Sequence, residues 1–491
     1  MNLLTDQFIS TTEGKIDLKQ LLTQDHNYQL QYGFDEVQLA MLQLLSSLTT
    51  FVLKPTLNEL KEYLSTGLSP SQYEAALQKL DLTPFDDDHF MQSVSTDDRS
   101  LATAPVAKLV SGIECGTSVT ASGLFSDTSR VERICPDCAP ILNYNLHMNI
   151  KGECFGPTGA TGIRGGGSLT TIISKATLRQ TVLANTIAVD YFDEIRGVKD
   201  SNNELMWTDP PSGTLYYGHQ IGLMRGLFAL AYHINFEKHG EPCICDICGQ
   251  TSDISITDFT RLKYLGHYGS TKNGRDGGAQ WWPHPYTPTI KTTEGTFQVS
   301  PKGDGWQSWQ GLASYIVSRQ IDEKKAVPAP VIQQYTAMRK GHAYLLVGGN
   351  IADQGSVVGR IYELYAMPQH WDDRMDRVTK LIDAGIDVKH ILVQALNKLY
   401  GIGYDKKFVN GIKQQVVDQY MANAQFIIQD LLVDVDRKEL SNMRQQAFTR
   451  LQTQALKIYR QLMRKYQNQL PTFKALAKGE RILARISKVT M

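Results

Sequence analysis

The stretch GECFGPTGATGIRGGGS, residues 152–168, sets the reading of the chain. Glycines at 152, 156, 159, 162, 165, 166 and 167 leave a backbone that can reach positive φ and approach a ligand more closely than side chains would allow. Its one positive charge is Arg164, fewer than a phosphate clamp carries. The stretch therefore reads as a surface that offers backbone N–H and C=O groups to something large and shaped. Gly156, Gly159, Gly162 and Gly165 recur every third residue, but a few triplets cannot sustain a triple helix. A P-loop needs a Lys-Ser/Thr pair, and here Gly167 leads into Ser168, Leu169 and Thr170 with no lysine, which argues against nucleotide hydrolysis. A flexible linker is the alternative.

A chain of 491 residues exceeds what one core normally organises, so two domains, or one with an appendage, are expected. Hydrophobic residues make up 42%, enough for real cores. No run of about 20 apolar residues occurs. The start, MNLLTDQF, lacks the basic and apolar segments of a signal peptide, so a soluble, cytoplasmic protein without a membrane partner is expected. The formal charge is zero, yet residues 1–100 carry 15 acidic and 6 basic side chains, and residues 437–491 carry 2 acidic and 13 basic. That asymmetry suggests a polyanion or acidic partner near the C-terminal part, or simply solvated helix faces.

Patterning separates three textures. Near the start, Val37, Met41, Leu44 and Leu45 recur at helical spacing. Ser69, Pro70 and Gln72 form an N-cap, N1 proline and capping box that open a helix over 72–80. Asp86, Asp87 and Asp88 then read as a solvated turn with no basic group to pair them. From Cys115 to about His370 glycine, proline, threonine and aromatics dominate and helical periodicity is scarce, as for short strands joined by long loops. Beyond Trp371 the sole proline is Pro471, and Phe448, Leu451, Ala455, Leu462 and Tyr466 recur at three- and four-residue steps, the pattern of a bundle of about four helices. The expected fold is α+β: a large mixed α/β domain over 1–371 with long loops and a structural zinc, then a C-terminal four-helix bundle over 372–491.

Seven cysteines, an odd number, make a disulfide framework improbable. Cys135 and Cys138, and Cys245 and Cys248, each have Cys-x-x-Cys spacing, so each turn can offer two thiolates. Together they would close a tetrahedral site with no open position, which is structural zinc. Cys243 is a substitute ligand, and Cys115 and Cys154 read as ordinary buried thiols. Redox-active cysteines are the alternative, without a thioredoxin-like context to favour them. Lys263, fifteen residues past Cys248, alternates with Leu262 and Tyr264 as on a strand that projects it. Segments 343–347 and 357–365 read as strands flanking a turn tipped by Asp353, Gln354 and Gly355. His284, between two prolines, has no serine, cysteine or carboxylate placed to work with it and reads as structural.

The order of these parts is itself a signature. A start Met-Asn-Leu-Leu-x-Asp, the turn Phe90-Met91-Gln92, paired Cys-x-x-Cys knuckles and a glycine loop ending Gly-x-Arg-Gly-Gly come in sequence. The strings Arg225-Gly226-Leu227-Phe228 and Trp282-Pro283-His284-Pro285, a Gln-tipped hairpin and a terminal bundle follow. In this order they resemble the CasA family, large subunits of the type I-E CRISPR Cascade surveillance complex. The resemblance implies a non-catalytic subunit that recognises the protospacer-adjacent motif of double-stranded target DNA through the minor groove. It further implies that the subunit helps open the duplex for guide RNA pairing and supports recruitment of a separate helicase-nuclease in antiviral defence. The family's glycine loop maps to Phe155, Gly156, Pro157, Thr158 and Gly159, its lysine finger to Lys263, and its glutamine wedge to Gln354, flanked by Asp353 and Gly355. Pro157 and Thr158 replace consecutive glycines, which points to a different motif preference, and Asp353 stands where a neutral amide is more usual. The loop 122–133 resembles the segment that docks on guide RNA and neighbouring subunits, with Phe125 as the stacking candidate. The basic bundle resembles the family domain that contacts the small subunits and a DNA strand. The alternative from another class is a zinc-containing nucleic-acid-processing enzyme. Against it stand a fully ligated metal and the lack of a His/carboxylate set with metal-nuclease spacing.

Overall fold

A computed structural model describes residues 1–93, 101–111, 130–150, 155, 159–165, 167–197, 201–210, 215–264, 267–268, 282–293, 295–301, 306–339, 341–353, 356–368, 370–436 and 440–485. The chain divides into two compact units, one of Met1–Lys302, Ser318–Lys340 and Leu345–Glu363, the other of Gly303–Val317, Gly341–Tyr344 and Leu364–Met491.

The first unit is built on the helix Asp35–Leu53. Leu44, Leu45 and Leu48 are fully buried, but so are Ser47, Thr49 and Thr50 on its other faces. A helix buried all round must satisfy its polar groups internally. Ser46, Thr49 and Thr50 do so by donating to the carbonyls of Leu42, Leu45 and Ser46 at 2.8, 2.7 and 2.8 Å. Length and composition would also suit a membrane crossing, yet 89% of its apolar window lies inside the protein. The helices Ala139–Met148 and Leu178–Asn185 pack on it. The Ser69 capping box forms as expected and opens the helix Pro70–Leu77, which ends three residues before the sequence pattern suggests.

Two three-stranded sheets frame the rest of this unit. Asp258–Lys263 lies between Ala102–Pro105 and Tyr232–Phe236, antiparallel to both, with Lys263 opposite Tyr232 and Arg261 opposite Ile234. The second sheet orders Ser356–Met367, Ala343–Asp353 and Thr170–Ser174. A four-stranded antiparallel sheet orders Gly295–Gln298, Thr289–Thr292, Lys324–Val327 and Arg319–Ile321.

Two expectations change. The middle region holds the helices Ala139–Met148, Leu178–Asn185, Val189–Arg196 and Pro330–Met338. Ala139–Met148 is buried along its whole length, so no polar face marks its period. The acidic turn, read as unpaired, is paired: Lys238 meets Asp87 at 2.8 Å and Asp88 at 2.6 Å, and the Met1 amine meets Asp87 at 3.2 Å. Its partners come from 150 residues downstream and from the chain start, beyond the reach of local pattern.

The second unit contains the four helices Met375–Leu396, Lys406–Val433, Leu440–Lys465 and Leu470–Arg485. Phe448, Leu451, Ala455 and Leu462 of the sequence stripe are buried. Buried Trp309 donates to the Met421 carbonyl at 3.2 Å, and a Cβ on Gly385 would stand 2.8 Å from its ring, so glycine is what lets the indole seat there.

Candidate nucleic-acid interface and metal centre

The sulfurs of Cys135, Cys138, Cys245 and Cys248 all lie within 4.8 Å of one another and are buried. Cys135 Sγ and Cys248 Sγ are 3.8 Å apart, far from disulfide bonding. A tetrahedron with zinc–sulfur bonds of about 2.3 Å has edges of about 3.8 Å, so the spacing fits one metal ion. Local structure explains the convergence. Cys138 caps the helix Ala139–Met148, whose N-terminal dipole favours thiolate nearby. Gly249, at φ +74°, donates to the Cys245 carbonyl at 2.8 Å, closing the second knuckle between the strands Cys243–Ile244 and Thr251–Ser252. The Cys135 amide donates to Cys245 Sγ at 3.3 Å. Hydrogen bonding to its three neighbours, then burial, pushes the Cys138 thiol up, whereas hydrogen bonds from Cys135 and Cys138 hold Cys245 down. Four crowded sulfurs of this kind call for a shared cation. Cys243 points elsewhere, to the Ile254 carbonyl at 3.8 Å, and Cys115 and Cys154 lie outside the described residues.

Of the nucleic-acid candidates, Gly156, Pro157, Thr158, Gln354, Gly355 and Phe125 lie outside the described residues, as does the Asp353 side chain. Phe155, Gly159 and Lys263 are placed. Phe155 is 6% exposed, with the Arg261 guanidinium 4.1 Å from its ring centre and Tyr232 edge-on at 5.7 Å. The amide of Ala160, next to Gly159, donates to Tyr232 Oη at 2.6 Å. Tyr232 is the cross-strand partner of Lys263. Side chains two apart on a strand share a face, so Arg261, buried against Phe155, stands on the same side as exposed Lys263. Both ends of the candidate loop are thus anchored on the sheet that carries the lysine.

Arg164 has a different role from the rest of its stretch. It is 1% exposed and donates to Thr287 Oγ1 and Thr170 Oγ1 at 2.8 Å each, to the carbonyls of Met148 and Leu169 at 3.3 and 3.2 Å, and to Asn149 Oδ1. Burial lowers its pKa to about 10. It is a strut, which explains why this cation-poor stretch has its single charge where no ligand can reach. A Cβ on Gly162 would stand 2.5 Å from the His147 carbonyl, so that glycine serves packing.

Beyond Ser168 the stretch enters the strand Thr170–Ser174, which neighbours Ala343–Asp353. Two residues, Gln354 and Gly355, separate that strand from Ser356–Met367, the connection length of a tight hairpin. Arg360 forks onto Asp35 at 2.6 Å and Glu36 at 2.5 Å, fixing the hairpin to the start of the central helix. The segment 159–170 is therefore a strap between two sheets, one bearing Lys263 and the other the hairpin. Arg261 was legible as the i−2 neighbour of Lys263, whereas Tyr232 and Arg360 carry no sequence signal for these roles. His284 is fully buried, and burial, with Arg164 nearby, holds its pKa well below the usual value.

The family described as CRISPR-associated protein Cse1 matches the chain over residues 2–465. This chain belongs to the Cse1 family. The Cse1 fold recurs in solved structures at low identity. Thermus thermophilus CasA (Cse1) aligns with a TM-score of 0.72 at 12% identity, covering 99% of this chain and 98% of that one. Cse1 from Acidimicrobium ferrooxidans aligns at 0.70 and 12%, with 99% and 98% covered. A chain of a CRISPR RNA-guided surveillance complex aligns at 0.67 and 12%, with 98% and 99% covered.

Proposed function

We propose that this Cse1-family chain is the non-catalytic DNA-recognition subunit of a type I-E Cascade surveillance complex, working in the cytoplasm in antiviral defence. Supporting this, a chain of the same fold belongs to an RNA-guided surveillance complex. The observation that carries the finer reading is the strap: Phe155 and Ala160 are anchored on Arg261 and Tyr232, the strand neighbours of Lys263.

The minor groove is narrow and its pattern degenerate, so backbone at Gly156, Pro157, Thr158 and Gly159, with one slim cation, Lys263, suits it better than a recognition helix. Guide RNA pairing then reads sequence, and the protein reads the motif and opens the duplex. Gln354, between Asp353 and Gly355 at a hairpin braced by Arg360, enters beneath the motif, where unstacking costs about 1.4 kcal/mol per step. Residues 1–371 carry these readers and dock to the guide RNA through Phe125 and to other Cascade subunits. Residues 372–491 present the basic bundle to small subunits and a DNA strand, and opened DNA licenses a separate helicase-nuclease. Zinc held by Cys135, Cys138, Cys245 and Cys248 would be fully ligated and structural, fixing the helix that leads to the strap against the segment that leads to Lys263.

The test uses the assembled complex. Lys263→Ala should weaken binding of motif-containing duplex with assembly intact. Gln354→Ala should preserve initial binding and slow strand opening, read by a fluorescent base at the motif-proximal step. Unchanged affinity in the first variant, or unchanged opening in the second, removes the corresponding role.

A further inference from the structure

The first unit holds a cavity of about 400 Å³ on the side of the four-stranded sheet; its lining includes neither Lys263 nor the cysteine cluster, and it touches the strap only through Thr287, which accepts from Arg164. Its size falls in the range of about 300–1,000 Å³ typical of small-molecule sites. Lys291 and Lys325 line it from directly opposed positions on antiparallel strands, with Thr296 opposite Lys291 on the other side. Like charges facing each other across a ladder destabilise a sheet, so this pair needs a reason. Both lysines are exposed and neither is paired with a carboxylate among the described residues. The wall adds Arg196, whose Nη2 is held by the Gly218 carbonyl at 3.1 Å and Ser201 Oγ at 2.9 Å. Asp193, three residues back, offsets part of the arginine's charge and does not line the cavity. Three cations and several hydroxyls therefore face one concave space, with no carboxylate among its described lining residues.

We propose that this cavity is an anion site for a phosphorylated small molecule of mononucleotide size, its phosphate bridging Lys291 and Lys325 and its far end meeting Arg196. Phosphate between the two lysines turns their repulsion into paired, charge-assisted hydrogen bonds. The apolar wall of Pro283, Val327, Pro328 and Pro330 gives the uncharged part of the ligand a surface to lie on. This site goes beyond motif reading and does not depend on it.

The experiment measures binding of ADP, of inorganic phosphate and of a single-stranded oligonucleotide to the full chain by calorimetry at matched ionic strength. The parent chain and Lys291→Gln/Lys325→Gln are compared. ADP should bind the parent saturably and bind the double variant about tenfold or more weakly, the effect of about 1.4 kcal/mol of lost charge-assisted bonding. The ligand-free double variant should melt no lower than the parent, because the opposed like charges are gone; this separates loss of the site from loss of the fold. Equal ADP affinity in the two proteins, or no ADP binding to the parent, overturns the proposal. So does oligonucleotide binding that weakens in the variant while ADP fails to bind, since the lysines would then serve a strand.

Discussion

Replacing Phe155 with alanine tests whether anchoring of the strap governs reading of DNA. The ring is 6% exposed, lies 4.1 Å from the Arg261 guanidinium carbon and meets Tyr232 edge-on at 5.7 Å. A buried phenylalanine truncated to alanine costs about 3–5 kcal/mol. Within that total fall a desolvated cation–π contact of about 2 kcal/mol and an edge contact of about 1 kcal/mol. At 1.4 kcal/mol per decade, the equilibrium constant for docking of the strap falls by about a hundred- to a few thousandfold. Two readouts are needed. Hydrogen exchange at the Ala160 amide, which donates to Tyr232 in the docked strap, should accelerate. The affinity of the assembled complex for motif-containing duplex should fall by at least about tenfold. Phe155→Leu, which keeps apolar volume and loses the cation–π contact, should fall between the parent and alanine. Faster exchange at Ala160 with unchanged affinity would refute the link between docking and reading. Unchanged exchange would refute Phe155 as the anchor.

The metal centre should return about one zinc per chain on elemental analysis of reduced protein, and Cys248→Ser should lose it. Chelation should lower the melting temperature of the parent and leave that variant unmoved. Burial works to raise the Asp87 pKa, yet Lys238 and the Met1 amine hold it below the usual carboxylate value. A lowered folded pKa contributes stability that is present above the unfolded value of about 3.9 and lost as pH falls through the folded one. The stability difference between the parent and Lys238→Met should therefore shrink as acid is added, in melts followed at decreasing pH; a constant difference would sink the pairing. In the second unit, a Cβ on Gly479 would stand 2.5 Å from the Ala395 carbonyl, so Gly479→Ala should cost about 1–3 kcal/mol there and leave exchange in the first unit unchanged.

What local chemistry specifies was legible in the sequence. The two Cys-x-x-Cys turns, the Ser69 capping box and the apolar stripe through Leu451 and Ala455 each need only a few neighbouring residues, and each is present as expected. Partnerships across long separations were not legible. Asp87 finds Lys238 across 151 positions, Arg164 finds Thr287 across 123, and Arg360 finds Glu36 across 324. The helix Ala139–Met148 escaped because burial on all sides removes the polar half of an amphipathic pattern. Nor was the packing role of part of the glycine stretch legible: Arg164 and Gly162 hold the protein together, and the proposed presentation role is left to the part before Ala160.

That division bears on how motif preference can change within this fold. Phe155 packs on Arg261 and Tyr232, which belong to adjacent strands of one sheet, and the Ala160 amide is bonded to the same Tyr232. On the proposed reading, the residues between them, Gly156 to Gly159, are the ones offered to a groove, so their identity would set the surface that DNA meets. Pro157 and Thr158 are where this chain departs from consecutive glycines. A proline fixes φ and removes an N–H donor, and a threonine adds a hydroxyl and a methyl, so both the depth of approach and the hydrogen-bonding pattern differ there from those of bare glycine. Because Lys263 is set by the register of its own strand, it keeps its position whatever occupies 156–158. If these residues serve as proposed, motif preference would vary at 156–158 while Lys263 stays the constant cationic reader.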